Sequence, residues 1–159
     1  MSRESSTIES SDGVKLDARI FRPRSRQGEE EEEESEKGGW GIVLVHPYSV
    51  LGGSQGLMKG IARGLADRGF TAVTFDMRGV GRSTGRPSLT GSSEVRDVLS
   101  VCKWVSLNLS SNRILLLGSS AGISSSLSLS LSLSLSLSLY IYIYIFSLFL
   151  FYSDENITF

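Results

Sequence analysis

The sequence predicts an α/β fold, a parallel sheet with helices on its faces, entered through an antiparallel hairpin and followed by a low-complexity tail. Three observations predict it. Short, wholly apolar runs alternate with stretches of helical periodicity. An Asp-Gly pair separates two alternating segments ahead of them. The composition then breaks, because no charged residue occurs between Ala121 and Ser153. The 159-residue chain therefore divides into a globular part, 1–122, with an acidic loop at 23–39, and a Ser-Leu/Tyr-Ile apolar tail, 123–159.

The globular part opens with two strand-like segments, Thr7–Ser10 and Val14–Phe21. In the second, Val14, Leu16, Ala18 and Ile20 alternate with other side chains. Ser11-Asp12-Gly13 between them is a hairpin turn signal. Arg22–Gly39 reads as a loop. Its run Glu29–Glu34 repels itself and stays solvated, so it is a surface insertion and not a divalent-cation site. Trp40–Val45 is continuous and apolar, as a strand buried on both faces of a parallel sheet must be, and ends at His46. Leu57, Met58, Ile61, Ala62, Leu65 and Ala66 follow at helical spacing, stopped by Arg68-Gly69. Thr71–Phe75 is the second buried strand, ending at Asp76, with a loop from Met77 to Ser92.

The second helix presents Val95, Val98, Leu99, Cys102 and Val105 on one face, with Glu94 in the first turn where the dipole favours an anion. Arg113–Leu117 is the third buried strand. Trp40 and Trp104 read as packing residues, and Cys102 as core.

Composition excludes several classes. A net charge of −1, from 16 basic and 17 acidic residues, favours neither nucleic acid nor an anionic surface. A lone cysteine excludes a disulfide framework and a Cys-based zinc site. We expect no metal and no cofactor. Met1–Ser11 has no apolar stretch of the signal-peptide kind, so the default expectation is the cytoplasm.

The chemistry-bearing motif is Gly118-Ser119-Ser120-Ala121-Gly122, a G-x-S-x-G run directly after the third strand. A serine on so sharp a strand-to-helix turn projects above the sheet, and its flanking glycines avoid the clash that side chains would cause. In a Ser- and Gly-rich chain the pentapeptide alone is weak, and its position makes it informative. His46-Pro47-Tyr48 follows the first buried strand, and Asp76-Met77-Arg78-Gly79-Val80-Gly81-Arg82-Ser83 follows the second. Gly79-Val80-Gly81 lacks dinucleotide-binding spacing, and Gly53–Gly60 lacks the ending of a phosphate loop. Asp76 reads as the cap of its loop.

In their order and spacing these three motifs resemble the α/β-hydrolase superfamily, particularly its small esterase- and serine-peptidase-like members. The resemblance covers about residues 7–122, the N-terminal half of such a domain, and hence an incomplete α/β-hydrolase sheet. It implies hydrolysis of an ester, amide or peptide in a small-molecule or peptide substrate. Ser120 would be the nucleophile, the backbone N–H groups of Tyr48 and Ala121 the oxyanion donors, and His46, Gly118 and Gly122 supports of the motifs. Pro47 has no N–H to give.

The family's order puts an acid and a histidine after the serine. Here only Asp154 and Glu155 follow it as acids, and no histidine follows. An improvised pair with His46 is the alternative base. The expectation is a truncated, inactive serine hydrolase. Its rivals are a non-enzymatic fragment and a membrane-anchored hydrolase-like protein. The sequence sets neither substrate nor oligomeric state.

Ser126–Leu139 is Ser-Leu repeated seven times, and Tyr140–Ile145 is Tyr-Ile repeated three times. Dinucleotide tracts encode both, TCT-CTC giving Ser-Leu and TAT-ATA giving Tyr-Ile. That points to a retained intron or a gene model run past an exon. Physically, strict period two suits a strand with a serine face and a leucine face, uncharged and aggregation-prone. The alternative is a bilayer-spanning helix over 131–152.

Overall fold

A computed structural model of the chain describes residues 1–23, 39–47, 53–88, 91–109, 111, 113–118, 140–145 and 149–151. The strands are β1 (Ser2–Glu9), β2 (Lys15–Arg22), β3 (Trp40–Val45), β4 (Thr71–Phe75), β5 (Arg113–Gly118), β6 (Tyr140–Ile145) and β7 (Phe149–Phe151). The helices are α1 (Lys59–Asp67), preceded by a tight turn at Gln55–Met58, and α2 (Ser92–Asn108). One sheet holds the strands in the order β1-β2-β4-β3-β5-β6-β7. Its centre, β4-β3-β5-β6, is parallel, while β1-β2, β2-β4 and β6-β7 pair antiparallel.

The hairpin forms where the Asp-Gly signal puts it, with Ser10 N–H donating to Val14 O across the turn at 2.8 Å. β1 runs further back than Thr7, to Ser2. No apolar alternation marks that stretch. Its ladder to β2, from Ser2 opposite Arg22 to Glu9 opposite Lys15, makes it a strand, together with the Arg22–Glu4 ion pair at 3.0 Å.

Alternation along the strands builds two apolar layers. Val43, Val45, Val73, Phe75, Ile114 and Leu116 face α2, where Val98, Val101, Cys102 and Val105 meet them. Ile42, Leu44, Ala72 and Phe21 face α1 and meet Met58, Ala62 and Ala66. Both faces of β3 are therefore dry, which is why its sequence is apolar throughout. Burying each large aliphatic or aromatic side chain here contributes about 1.5–3 kcal/mol before entropy is counted.

Each helix departs from its expected face. On α1 the buried stripe is Met58, Ala62 and Ala66, whereas Leu57 and Ile61 are exposed. Two alanines let the helix sit close on the sheet, and the larger residues fall to its flank. On α2 the buried face is turned so that Val101 is central and Val95 and Leu99 lie at its margin. The turn brings Glu94 and Asp97, both fully buried, against polar partners on the preceding loop. Trp104 packs at the edge of the core, and Trp40 lies under the Arg113 guanidinium, 5.6 Å from its ring centre.

The Tyr-Ile repeat is a strand, as period two predicts, and pairs parallel with β5 from Arg113 opposite Tyr140 to Gly118 opposite Ile145. The helical alternative for 131–152 fails at 140–145 and 149–151, which are extended. Among the described residues no helix is long and apolar enough to cross a membrane. The acidic run Glu29–Glu34 lies outside the described residues.

Candidate active site

The ends of β3, β4 and β5 meet at one edge of the sheet. Leu44 lies opposite Thr74, and Val45 lies opposite Gly118. The chain therefore leaves β3 at His46, β4 at Asp76 and β5 after Gly118, side by side. In open parallel sheets this carboxyl edge is where ligands bind, because successive loops converge there. Of the expected site residues His46 and Gly118 are described, and Gly118 is buried at the end of β5. Tyr48, Ser120, Ala121 and Gly122 lie outside the described residues.

His46 is fully buried, and both ring nitrogens are engaged. Met77 N–H donates to Nε2 at 3.1 Å. A peptide N–H can only donate, so Nε2 carries the lone pair and Nδ1 carries the proton. Nδ1–H then donates to Pro47 O at 2.6 Å. Desolvation lowers the His46 pKa, against the opposing pull of the Pro47 carbonyl and the nearby Asp76 charge. His46 is thus a neutral clamp between the loops after β3 and β4, and its only basic nitrogen is occupied. This corrects the alternative in which His46 serves Ser120 as a base. Gly53 closes the same corner, where a Cβ would stand 2.1 Å from Pro47 O.

Asp76 is buried, and its carboxylate faces the segment after β3. Gln55 N–H donates to Oδ1 and Gln55 Nε2 to Oδ2, each at 2.8 Å. Gln55 also donates to Asp17 Oδ2 at 2.8 Å and accepts from Thr74 Oγ1 at 3.1 Å. Ser83 Oγ donates to Asp76 O at 2.6 Å and accepts from Asp17 N–H at 2.9 Å. Gly81, at φ +56°, is required here because a Cβ would lie 2.3 Å from Asp76 Oδ2. Asp76 is therefore a cap, as the sequence suggests, but a cap of two elements at once.

Arg78 is the charged counterpart. Its Nη2 donates to Asp97 Oδ1 at 2.6 Å and its Nε to Asp97 Oδ2 at 3.0 Å, a bidentate pair. Arg78 N–H adds a bond to Asp97 Oδ2 at 3.1 Å, and Nη1 reaches Asp12 at 2.8 Å. The bonds to Asp97 and then Asp12 raise the Arg78 pKa, and Arg78 holds Asp12 below the usual carboxylate range. Glu94 fixes the far end of this loop, accepting from Ser88 N–H at 2.7 Å and Ser88 Oγ at 2.5 Å. Its burial against Ser88 goes beyond the helix-dipole role expected of it.

Sequence reasoning passed over Gln55, Asp17 and Asp97. Asp97 alone carried a signal, a charge on the buried side of an amphipathic helix. Cys102 is buried and its thiol is pushed up to about 12 by desolvation, so it is packing material. Among the described residues no group of three or more His, Cys, Asp or Glu side chains could hold a metal ion.

A profile of the X-Pro dipeptidyl-peptidase (S15) family matches residues 12–130. The chain belongs to this S15 family. Among solved structures, this S15-family chain is similar to XC6422 of Xanthomonas campestris, described as an α/β serine hydrolase without a lid. The match has 26% identity and a TM-score of 0.68, over 84% of this chain and 58% of that one. An α/β serine hydrolase homologue of Coxiella burnetii matches at 30% identity and a TM-score of 0.64, over 89% of this chain and 62% of that one. A 31.7 kDa protein of the traX-finO intergenic region of Escherichia coli is 33% identical over 84 residues, 51% of this chain and 29% of that protein. The S15-family chain thus spans less than two thirds of each relative. It is hydrolase-like in family and in fold.

Proposed function

We propose that residues 1–122 are the nucleophile-bearing half of a serine hydrolase acting on esters, amides or peptides, and that a polypeptide of these 159 residues is catalytically silent. The observation that carries this reading is the pairing of Val45 with Gly118. It supports a site in which the turn after β5 carries Ser120 next to the loop after β3. In that site Ser120 Oγ attacks the carbonyl carbon, and the N–H groups of Ala121 and Tyr48 receive the negative charge that develops on the carbonyl oxygen.

Silence follows from the proton. A serine hydroxyl needs a base to become a nucleophile. Within these 159 residues no histidine lies downstream of Ser120, and His46 directs its lone pair to Met77 N–H. The Ser-Leu/Tyr-Ile repeat beyond the elbow supports reading that stretch as translated non-coding sequence.

A fluorophosphonate probe on the purified chain tests the silence. Labelling equal to that of Ser120→Ala is expected. Strong labelling that Ser120→Ala abolishes would retain Ser120 as nucleophile and overturn the silence.

A further inference from the structure

We infer that His46 and Asp76 form a proton-operated switch at the carboxyl edge of the sheet: neutral His46 ties the loop after β3 to the loop after β4, and protonated His46 gives up that tie for the Asp76 carboxylate. In the neutral state Nε2 holds the lone pair that Met77 N–H meets at 3.1 Å, and Nδ1–H donates to Pro47 O at 2.6 Å. A proton on Nε2 would point at the Met77 N–H. Two donors cannot share one bond, so the cation must leave Met77 for an acceptor.

Asp76 has both the charge and the capacity to be that acceptor. It is buried, and among the described residues no ion pair neutralises it. A buried carboxylate without a cation is costly. Gln55 N–H binds Oδ1 and Gln55 Nε2 binds Oδ2, which leaves each oxygen room for a further donor. Asp76 also precedes Met77 in the chain, so the ring exchanges partners between neighbouring residues. The other charges of this corner are committed. Asp17 of β2 stands behind Gln55 and binds its Nε2, while Arg78 on the loop is held by Asp97 of α2 and by Asp12. Two effects on the ring oppose each other, since desolvation holds the proton off and the Asp76 charge favours it. The apolar layers on the two faces of β3 hold the sheet without either residue. What changes is the corner: with the Met77 bond gone, the segment after β3 keeps Gln55 as its link to Asp76. The switch needs no nucleophile at Ser120, so a silent chain carries it too.

A pH titration of the full chain followed by NMR tests the inference, and the single histidine assigns its own ring signals. Near neutral pH we expect Nε2 to show the shift of a nitrogen that bears a lone pair. In acid it should protonate with a midpoint below the ordinary 6.5, and the Met77 amide and the Asp76 carboxyl carbon should shift with that same midpoint. Cys102 should stay protected from a thiol reagent throughout, because its burial reports a native core. Asp76→Asn should lower the ring's midpoint further. A Met77 amide or an Asp76 carboxyl carbon that ignores the ring's midpoint overturns the inference. So does a ring that takes up its proton only as Cys102 becomes reactive, which is unfolding and not a switch. An unchanged midpoint in natively folded Asp76→Asn also overturns it, and if that variant exposes Cys102, the wild-type carboxyl signal decides.

Discussion

Two clamps hold the loops at the carboxyl edge of the sheet, and they work by opposite means. His46 joins the loop after β3 to the loop after β4 as a neutral ring, donating through one nitrogen and accepting through the other. Arg78 joins the loop after β4 to α2 and to the β1–β2 turn as a permanent cation between two carboxylates. Both are buried. The neutral clamp needs only its two hydrogen bonds, whereas the ionic clamp must offset the desolvation of buried charges. The contrast teaches that burial alone does not predict sensitivity; the charge left behind when a partner is removed does.

The largest effect is therefore expected at Arg78. Arg78→Met strands the fully buried Asp97 carboxylate, and urea unfolding should show a loss of about 3–5 kcal/mol. The double variant Arg78→Met/Asp97→Leu should regain most of it, because it removes both charges. A double variant as unstable as the single one would show that packing, and not charge, is the contribution of Arg78.

Next comes His46. His46→Leu leaves the Met77 N–H and the Pro47 carbonyl unpaired, at a cost of about 1–3 kcal/mol. Its signature is pH dependence. The folded pKa of His46 is lowered, so the unfolded chain takes up the proton first. Stability is full above about 6.5 and falls as the pH drops through that value towards the folded pKa. As the chain's only histidine is His46, His46→Leu should flatten this slope. A slope that persists in the variant would reject the neutral-clamp account.

The smallest effect is expected at Asp12, whose side chain is 30% exposed. Asp12→Asn should lose about 0.2–1 kcal/mol near neutral pH, as partly solvated pairs do. Asp12 has a lowered pKa, so its stabilisation is present above about 3.8 and is lost only in more acid solution. The two clamps thus separate on one pH titration.

The sheet was legible in the sequence because burial writes itself as composition. Trp40–Val45 and Thr71–Phe75 are largely apolar because both faces are covered, Arg113–Leu117 has one face buried and the other partly so, and Ser11-Asp12-Gly13 marks its own turn. The G-x-S-x-G run is read from its position after the third strand, and its serine lies outside the described residues. The polar links were not legible. Gln55 binds partners 21 and 38 residues away, and Arg78 reaches Asp12 across 66. No periodicity records a hydrogen bond between segments that only the finished fold brings together. His46 shows the same limit, since its neighbours identify the loop while its neutrality depends on Met77, a residue on another strand's end. In the tail, period two announced a strand, but neither its partner nor its direction.

The tail also has a property of parity. Because Tyr and Ile alternate through β6, a slip of two residues against β5 would present the same residue types to each face of the sheet. A slip of one residue would exchange them. The pairing of β6 with β5 is thus indifferent to even slips and strict about odd ones.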